Sequence, residues 1–237
     1  MEAPAEVIWM RPVHGSRGPK PTWTRDDVAA AAVRIADAEG IDAVSMRRIA
    51  GELGVGVASL YRYVLKKDEI MELMIDAVMA EATFPEPIGD WRADLRALAY
   101  LMRDAALRHP WFTALEAGRP SHGPNSLRWM ERTFAVFDDL DLSVDDMLLA
   151  VGTLFSFVRG HVLSELAEDE AIRRSGLTHD QWMTQQGEYG PTIIGSGKYP
   201  RFTKVIIEAE MPHDADRLER GFAYGLDRVL DGLIADR

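Results

Sequence analysis

Cysteine is absent from the 237 residues, which removes disulfides, thiolate metal ligands and thiol nucleophiles. Long apolar runs are missing too. No stretch reads as the roughly 18 apolar residues that span a bilayer. The opening MEAPAEVIWMRPVHGSRGPK holds no continuous apolar segment of signal-peptide length. A soluble cytoplasmic protein with no membrane partner is expected. Basic residues are in deficit, 27 Lys+Arg against 38 Asp+Glu for a net charge of −11, which taken alone argues against a polyanionic partner. Catalytic signatures are also lacking: there is no G-x-S-x-G elbow, P-loop, H-E-x-x-H or dinucleotide fingerprint, and G-V-G and G-S-G are too short to count. No enzymatic activity and no cofactor are expected.

The distribution of charge reverses the first impression. Residues 1–67 carry ten basic against eight acidic residues, net +2, and the other 170 carry seventeen against thirty, net −13. Within Val44 to Lys67 five basic residues (Arg47, Arg48, Arg62, Lys66, Lys67) face one acidic residue, Glu52. An acidic body with one basic end keeps off DNA non-specifically while that end docks.

Local signals divide the chain into helices. Residues 1 to about 22, with Pro4, Pro12, Gly15, Gly18, Pro19 and Pro21, read as a flexible basic arm. Thr24 with Asp27 has capping-box spacing, Val28, Ala31, Ala32, Ile35 and Ala36 share one helical face, and Gly40 suits a left-handed C-terminal cap. Ser45 caps a second helix that buries Met46, Ile49, Ala50 and Leu53 and ends at Gly54. Gly56 opens a third over Val57 to Val64, and a fourth starts near Asp68, whose charge and that of Glu69 suit the positive helix end. Further helices are expected over Trp91 to Arg108, Asn125 to about Leu140, Val144 to about Glu168 behind a Ser143–Asp146 cap, and about Ala215 to Ile234. Residues 175–200, with five glycines and two prolines, are expected to be partly mobile. No strand alternation and no internal repeat are found. The fold class is all-α: a three-helix unit over residues 23–68, then a longer helical region over 69–237. Two short helices around a glycine corner make a helix-turn-helix, whose second helix is shaped to enter the major groove.

With the first four helices placed, the sequence resembles the tetracycline-repressor (TetR) family. Gly40, the LYRYV run from Leu60 to Val64, and Lys67 stand in that family's order and spacing. Gly118-Arg119-Pro120 and FAYGLDRVLDGL from Phe222 to Leu233 anchor a looser resemblance in the C-terminal part. The resemblance implies a homodimeric repressor that binds a palindromic operator in double-stranded DNA and is released by a small, largely apolar effector. Control of an antibiotic or drug exporter is the associated role. It also implies that Arg47 reaches a base edge, that Val57, Ala58, Tyr61, Arg62 and Tyr63 lie in the groove, and that Lys67 meets a phosphate.

Side-chain chemistry is compatible with each role. Arginine pairs bidentately with guanine, small apolar groups touch the thymine methyl, and tyrosine hydroxyls suit phosphate oxygens. For Tyr61 the alternative is a ring propping the third helix on the first; Arg48 is expected to be solvated or phosphate-facing. In the arm, Arg11, Arg17 and Lys20 suit an adjacent minor groove; a tail without consequence is the equal alternative.

The C-terminal half is rich in large apolar rings, including Trp182 and Phe157. Leu98, Met102, Trp111, Leu115, Arg119, Trp129, Phe134, Phe155 and Arg159 are the candidate effector-binding residues, although burial in a core is the commoner fate of any single ring. A charge inside such a bundle needs a partner, and for Arg119 and Arg159 a protein carboxylate is favoured over an effector group. Where the tetracycline repressor has metal-chelate ligands this chain has Leu98 and Leu115, so a magnesium–tetracycline chelate is not the expected effector. His161 and Glu165, one turn apart, make at most half a metal site; a hydrogen-bonding pair is favoured and no metal is expected. Gly221-x-x-x-Gly225 would let the last helix approach another closely, as in a four-helix dimer interface.

Overall fold

The computed structural model describes residues 7–12, 23–116, 118 and 121–234. Among these the regular elements are all helical, as expected. Helix α1 (Arg25–Glu39) starts at a reciprocal cap: Thr24 Oγ1 accepts from the Asp27 N–H, and the Asp27 carboxylate accepts from the Thr24 N–H. Its stripe Val28, Ala31, Ala32, Ile35 and Ala36 is buried. Gly40 ends it at φ 86°, ψ 161°, a positive φ but with extended ψ rather than the left-handed helical cap expected. Helix α2 (Met46–Leu53) is capped by Ser45, whose hydroxyl accepts from the Arg48 N–H, and it stops at Gly54 with φ 68°, ψ 31°, which a residue with a Cβ adopts only at a cost. Helix α3 (Val57–Leu60) is a single turn, shorter than the expected 57–64, with turns at Tyr61–Tyr63. Helix α4 (Lys67–Ala80) buries Ile70, Leu73, Met74 and Val78.

Helix α5 (Trp91–Arg108), capped by Asp90, leads to the short α6 (Phe112–Glu116) and to α7 (Pro124–Ala135). Helix α8 (Val144–Ser175) runs 32 residues, two turns past its expected end. Before the last helix, α12 (Arg217–Leu233), come α9 (His179–Gly187), α10 (Gly190–Gly195) and α11 (Pro200–Glu208). The glycines and prolines of 175–200 suggested a mobile segment; they punctuate helices instead. Thr178 and Gln181 form a capping box at α9, and Pro191 and Pro200 sit in first turns, where a missing N–H costs nothing.

The chain divides into two compact units, residues 1–151 and 152–237. Helix α4 packs on both α1 and α7, so the helix-turn-helix and α4–α7 share one unit. In the second unit the core is Leu154, Val158 and Val162 of α8 with Phe222, Leu226 and Leu230 of α12, all buried. Phe157 stacks on Phe222 with ring centroids 5.6 Å apart.

A methyl group at Gly225 would enter the Phe157 ring, and one at Gly221 would come within 3.4 Å of His161 Cε1. The glycine spacing does bring the last helix close to another, α8 of the same chain. His161 Nε2 lies 3.0 Å from the Leu218 carbonyl and 3.4 Å from the Glu165 carboxylate, a helix-to-helix tie. Helix α8 is long and apolar enough to cross a membrane by length and composition, which corrects the reading that no stretch meets that test.

Candidate nucleic-acid interface

The helix-turn-helix sorts its side chains by spacing. Tyr63 N–H donates to Leu60 O at 2.8 Å and Val64 N–H to the same carbonyl at 3.0 Å. That curl puts Leu60, Tyr63 and Val64 (i, i+3, i+4) on one side, and all three are buried. Tyr63 is 5 % exposed, so the expectation that it lies in the groove is corrected: it is an interior prop. The same spacing was readable in the sequence. Tyr61, offset from that face, is 52 % exposed, and the alternative of a core ring does not hold for it. Arg47, Val57, Ala58, Arg62 and Lys67 are exposed as well. Arg48 is taken up by protein carboxylates: its guanidinium donates to Glu39 at 2.7 Å and Glu52 at 3.1 Å. Hydrogen bonds from Arg48 hold the Glu39 carboxyl below its usual range. Arg17 and Lys20 lie outside the described residues.

Behind this surface is a cluster that periodicity does not reveal. Arg11, expected in the flexible arm, turns inward and donates bidentately to Glu69, at 2.9 and 2.7 Å. Glu69 also accepts from the Leu65 N–H at 2.7 Å. Arg25 at the head of α1 donates to the Tyr63 carbonyl at 3.1 Å and to the Ile8 carbonyl at 2.6 Å. Burial, followed by the neighbouring Arg11 charge, lowers the Arg25 pKa against the opposing pull of Glu69. Burial raises the Glu69 carboxyl, yet the hydrogen bonds from Arg11 and Leu65 and the charges of Arg11 and Lys66 outweigh it, so the group sits below its usual range. A carboxyl depressed by folding stabilises above its unfolded pKa, about 4.3 for Glu, and loses that contribution as pH falls through the folded value. The stability gap between the protein and Glu69→Gln is therefore expected to stay constant from neutral pH to about 4.3 and to close on further acidification. Chemical denaturation at a series of pH values reads this; a gap that does not narrow as the pH falls below about 4.3 contradicts it.

A second buried carboxylate joins α4 to α7. Asp76, 5 % exposed, accepts from the Asn125 and Ser126 N–H groups, each at 2.9 Å, and from Asn125 Nδ2 at 2.8 Å. Helix α7 opens at Gly123, which has no side chain to cap it. Asp76 satisfies its orphan N–H groups from another helix.

Comparison with known proteins decides the family. Residues 28–74 match the bacterial regulatory proteins of the tetR family, and residues 84–237 match the tetracyclin repressor-like C-terminal domain. The chain belongs to the TetR family of transcriptional repressors. Among its relatives, the HTH-type transcriptional repressor DrrR1 of Streptomyces coeruleorubidus is 39 % identical over 96 % of this chain and 83 % of that protein. An HTH-type transcriptional regulator of Saccharopolyspora erythraea is 34 % identical over 80 % and 81 %. The TetR-family protein ActR of Streptomyces coelicolor, solved in complex with actinorhodin, superposes with a TM-score of 0.70 at 29 % identity, covering 90 % of this chain and 95 % of ActR.

Within this TetR-family chain the expected effector residues fall in both units. Leu98, Met102, Trp111 and Trp129 are buried in the first unit, and Leu115 and Phe134 are half-buried there. Phe155 and Arg159 are half-buried in the second unit. The Arg119 side chain lies outside what the structure describes. Two of the tryptophans have their indole N–H groups held within the protein. Trp111 Nε1 donates to Asp37 of α1 at 2.7 Å, and Trp129 Nε1 donates to the Met79 carbonyl at 3.1 Å. A cavity of about 170 Å³ in the first unit is lined by Trp91, Leu98, Arg132 and Val136, and among the described residues of the expected set Leu98 reaches it. Another of about 280 Å³ in the second unit is lined by Glu168, Ile172, His179 and Trp182. Drug-sized ligands usually occupy about 300–1,000 Å³. Among the described residues no group of three or more His, Asp or Glu is gathered for a metal ion.

Proposed function

We propose that this chain is a homodimeric repressor, acting in the cytoplasm, that reads a palindromic operator through α2 and α3 and lets go when a bulky, largely apolar compound binds. The observation that carries the reading is the sorting over α3 and the turn after it, residues 57–64: Val57, Ala58, Tyr61 and Arg62 are exposed while Leu60, Tyr63 and Val64 are buried. That leaves a short helix with a small apolar start, a hydroxyl and a cation turned outward, flanked by Arg47 and Lys67, the set that base edges and phosphates require. ActR, solved with actinorhodin, supports a small-molecule effector, and control of an antibiotic or drug exporter fits such a ligand.

Dimerisation is supported by the outer face of the second unit. Thr153, Ser156, Gly160, Leu163 and Ala167 form an exposed stripe on α8 at helical spacing, and it contains no charged residue. Small residues around one leucine suit close packing against a second copy. Two heads then match half-sites about one DNA turn, ~34–36 Å, or a multiple apart. An effector weakens binding by its differential affinity for head spacings that do not match.

The test is binding to the chain's own upstream region, measured by footprinting and fluorescence anisotropy with and without candidate aromatic antibiotics. Tyr61→Phe is expected to weaken that binding about 3- to 10-fold, the loss of one hydrogen bond worth about 1 kcal/mol, and to leave effector affinity as it was. No preference for the upstream fragment over random duplex, at salt levels that suppress non-specific binding, would falsify the reading.

A further inference from the structure

The residues before α1 were expected to reach DNA or to do nothing. Their described part packs against the helices of the first unit. Ile8 is 2 % exposed, and the turn is closed by Met10 N–H to Val7 O and Arg11 N–H to Ile8 O. Trp9 packs at the start of α7, where a methyl group on Gly123 would overlap both its ring and the Asp76 carboxylate. Arg11 reaches Glu69 in the first turn of α4. The two atoms that end the recognition segment are thereby held: the Tyr63 carbonyl accepts from Arg25, with Arg11 Nη2 at 3.4 Å, and the Leu65 N–H donates to Glu69. Arg25 in turn holds the Ile8 carbonyl.

We propose that residues 8–11 are an internal strap that fixes the recognition segment from behind, with Arg11 and Glu69 as positioning residues for DNA binding. The claim rests on the DNA-reading role proposed above. Tyr61, Arg62 and Lys67 flank the pinned atoms on either side. With the strap in place they reach the duplex in one orientation, and the ordering cost of binding is met in the free protein. Without it, the link between α3 and α4 must be ordered by the DNA. The Arg11 guanidinium is spent on a carboxylate and makes no phosphate contact.

The experiment compares the full-length protein, Arg11→Ala, Glu69→Gln and the double variant on the upstream promoter fragment, by anisotropy over a series of salt concentrations. Circular dichroism confirms the fold of each. Arg11→Ala is expected to bind about ten-fold more weakly, inside the usual 5- to 150-fold range of coupling between sites. Glu69→Gln is expected to weaken binding too, although it removes a negative charge next to DNA. The double variant is expected to lie within about two-fold of Arg11→Ala, because residues acting through one contact are not additive. All four salt slopes are expected to coincide.

Tighter binding by Glu69→Gln, additive losses, or a slope shallower by about one in Arg11→Ala, the mark of a lost phosphate contact, each overturns the strap. Hydrogen exchange without DNA gives an independent answer, since Arg11→Ala should speed exchange of the Leu65 amide, and an unchanged rate also overturns it. If the wild-type protein ignores its promoter, the DNA reading fails while the exchange result still decides the strap.

Discussion

Gly160→Glu combined with Leu163→Glu is expected to yield a folded monomer that binds the promoter fragment more than about a hundred-fold more weakly than the parent, because two linked heads gain about 10²–10⁴ over one. The monomer fold should tolerate both changes. A Cβ at Gly160 meets nothing within 4 Å, glutamate is a better helix former than glycine by roughly 0.5–1 kcal/mol, and Leu163 is half-exposed. In a dimer packed on the α8 stripe, the same carboxylates from two chains would be buried opposite one another, which costs several kcal/mol. Analytical ultracentrifugation reads the mass, circular dichroism the fold and anisotropy the DNA affinity. A double variant that stays dimeric places the interface elsewhere.

Asp76→Ala is expected to give the largest loss of stability, about 3 kcal/mol. It strips the partner from two backbone N–H groups and an amide in a largely buried site, each orphaned buried donor costing about 1–3 kcal/mol. For a chain of this size that corresponds to a melting temperature lower by about 6–12 °C. Asp76→Asn keeps one acceptor oxygen and should lose less. The damage is expected at the start of α7, seen as faster hydrogen exchange of the Asn125 and Ser126 amides. A melting temperature within a degree or two of the parent would mean that water replaces the carboxylate.

What could be read from the sequence were the features whose causes lie within a few residues of each other. The Thr24–Asp27 cap, the Ser45 cap and the Gly54 corner are local contacts between a side chain and nearby backbone, and all three appear in the structure. The inward turn of Tyr63 was equally local, three residues after Leu60, but the matching LYRYV run drew it into the groove set. Partnership across long sequence distance was not legible. Arg11 and Glu69 are 58 residues apart, and a proline- and glycine-flanked arginine looks like a solvated arm. Trp111 looked available to a ligand because nothing near it in the chain shows that Asp37, 74 residues earlier, holds its indole N–H. The Gly221–Gly225 spacing announced a close approach without saying to what; the answer was Phe157 and His161 of the same chain.

A second tie holds the other end of α4. His109, buried at the end of α5, has Nδ1 2.9 Å from Asp37 of α1 and Nε2 3.2 Å from Glu81, which also pairs with Arg108. Together with Arg11 on Glu69, this anchors the rod of α4 near both tips, about 18 Å apart at 1.5 Å per residue from Glu69 to Glu81. A body held at two such points has little freedom to slide. Releasing one leaves the other as a pivot, so small changes around α5 would emerge as rotation of the DNA-reading tip.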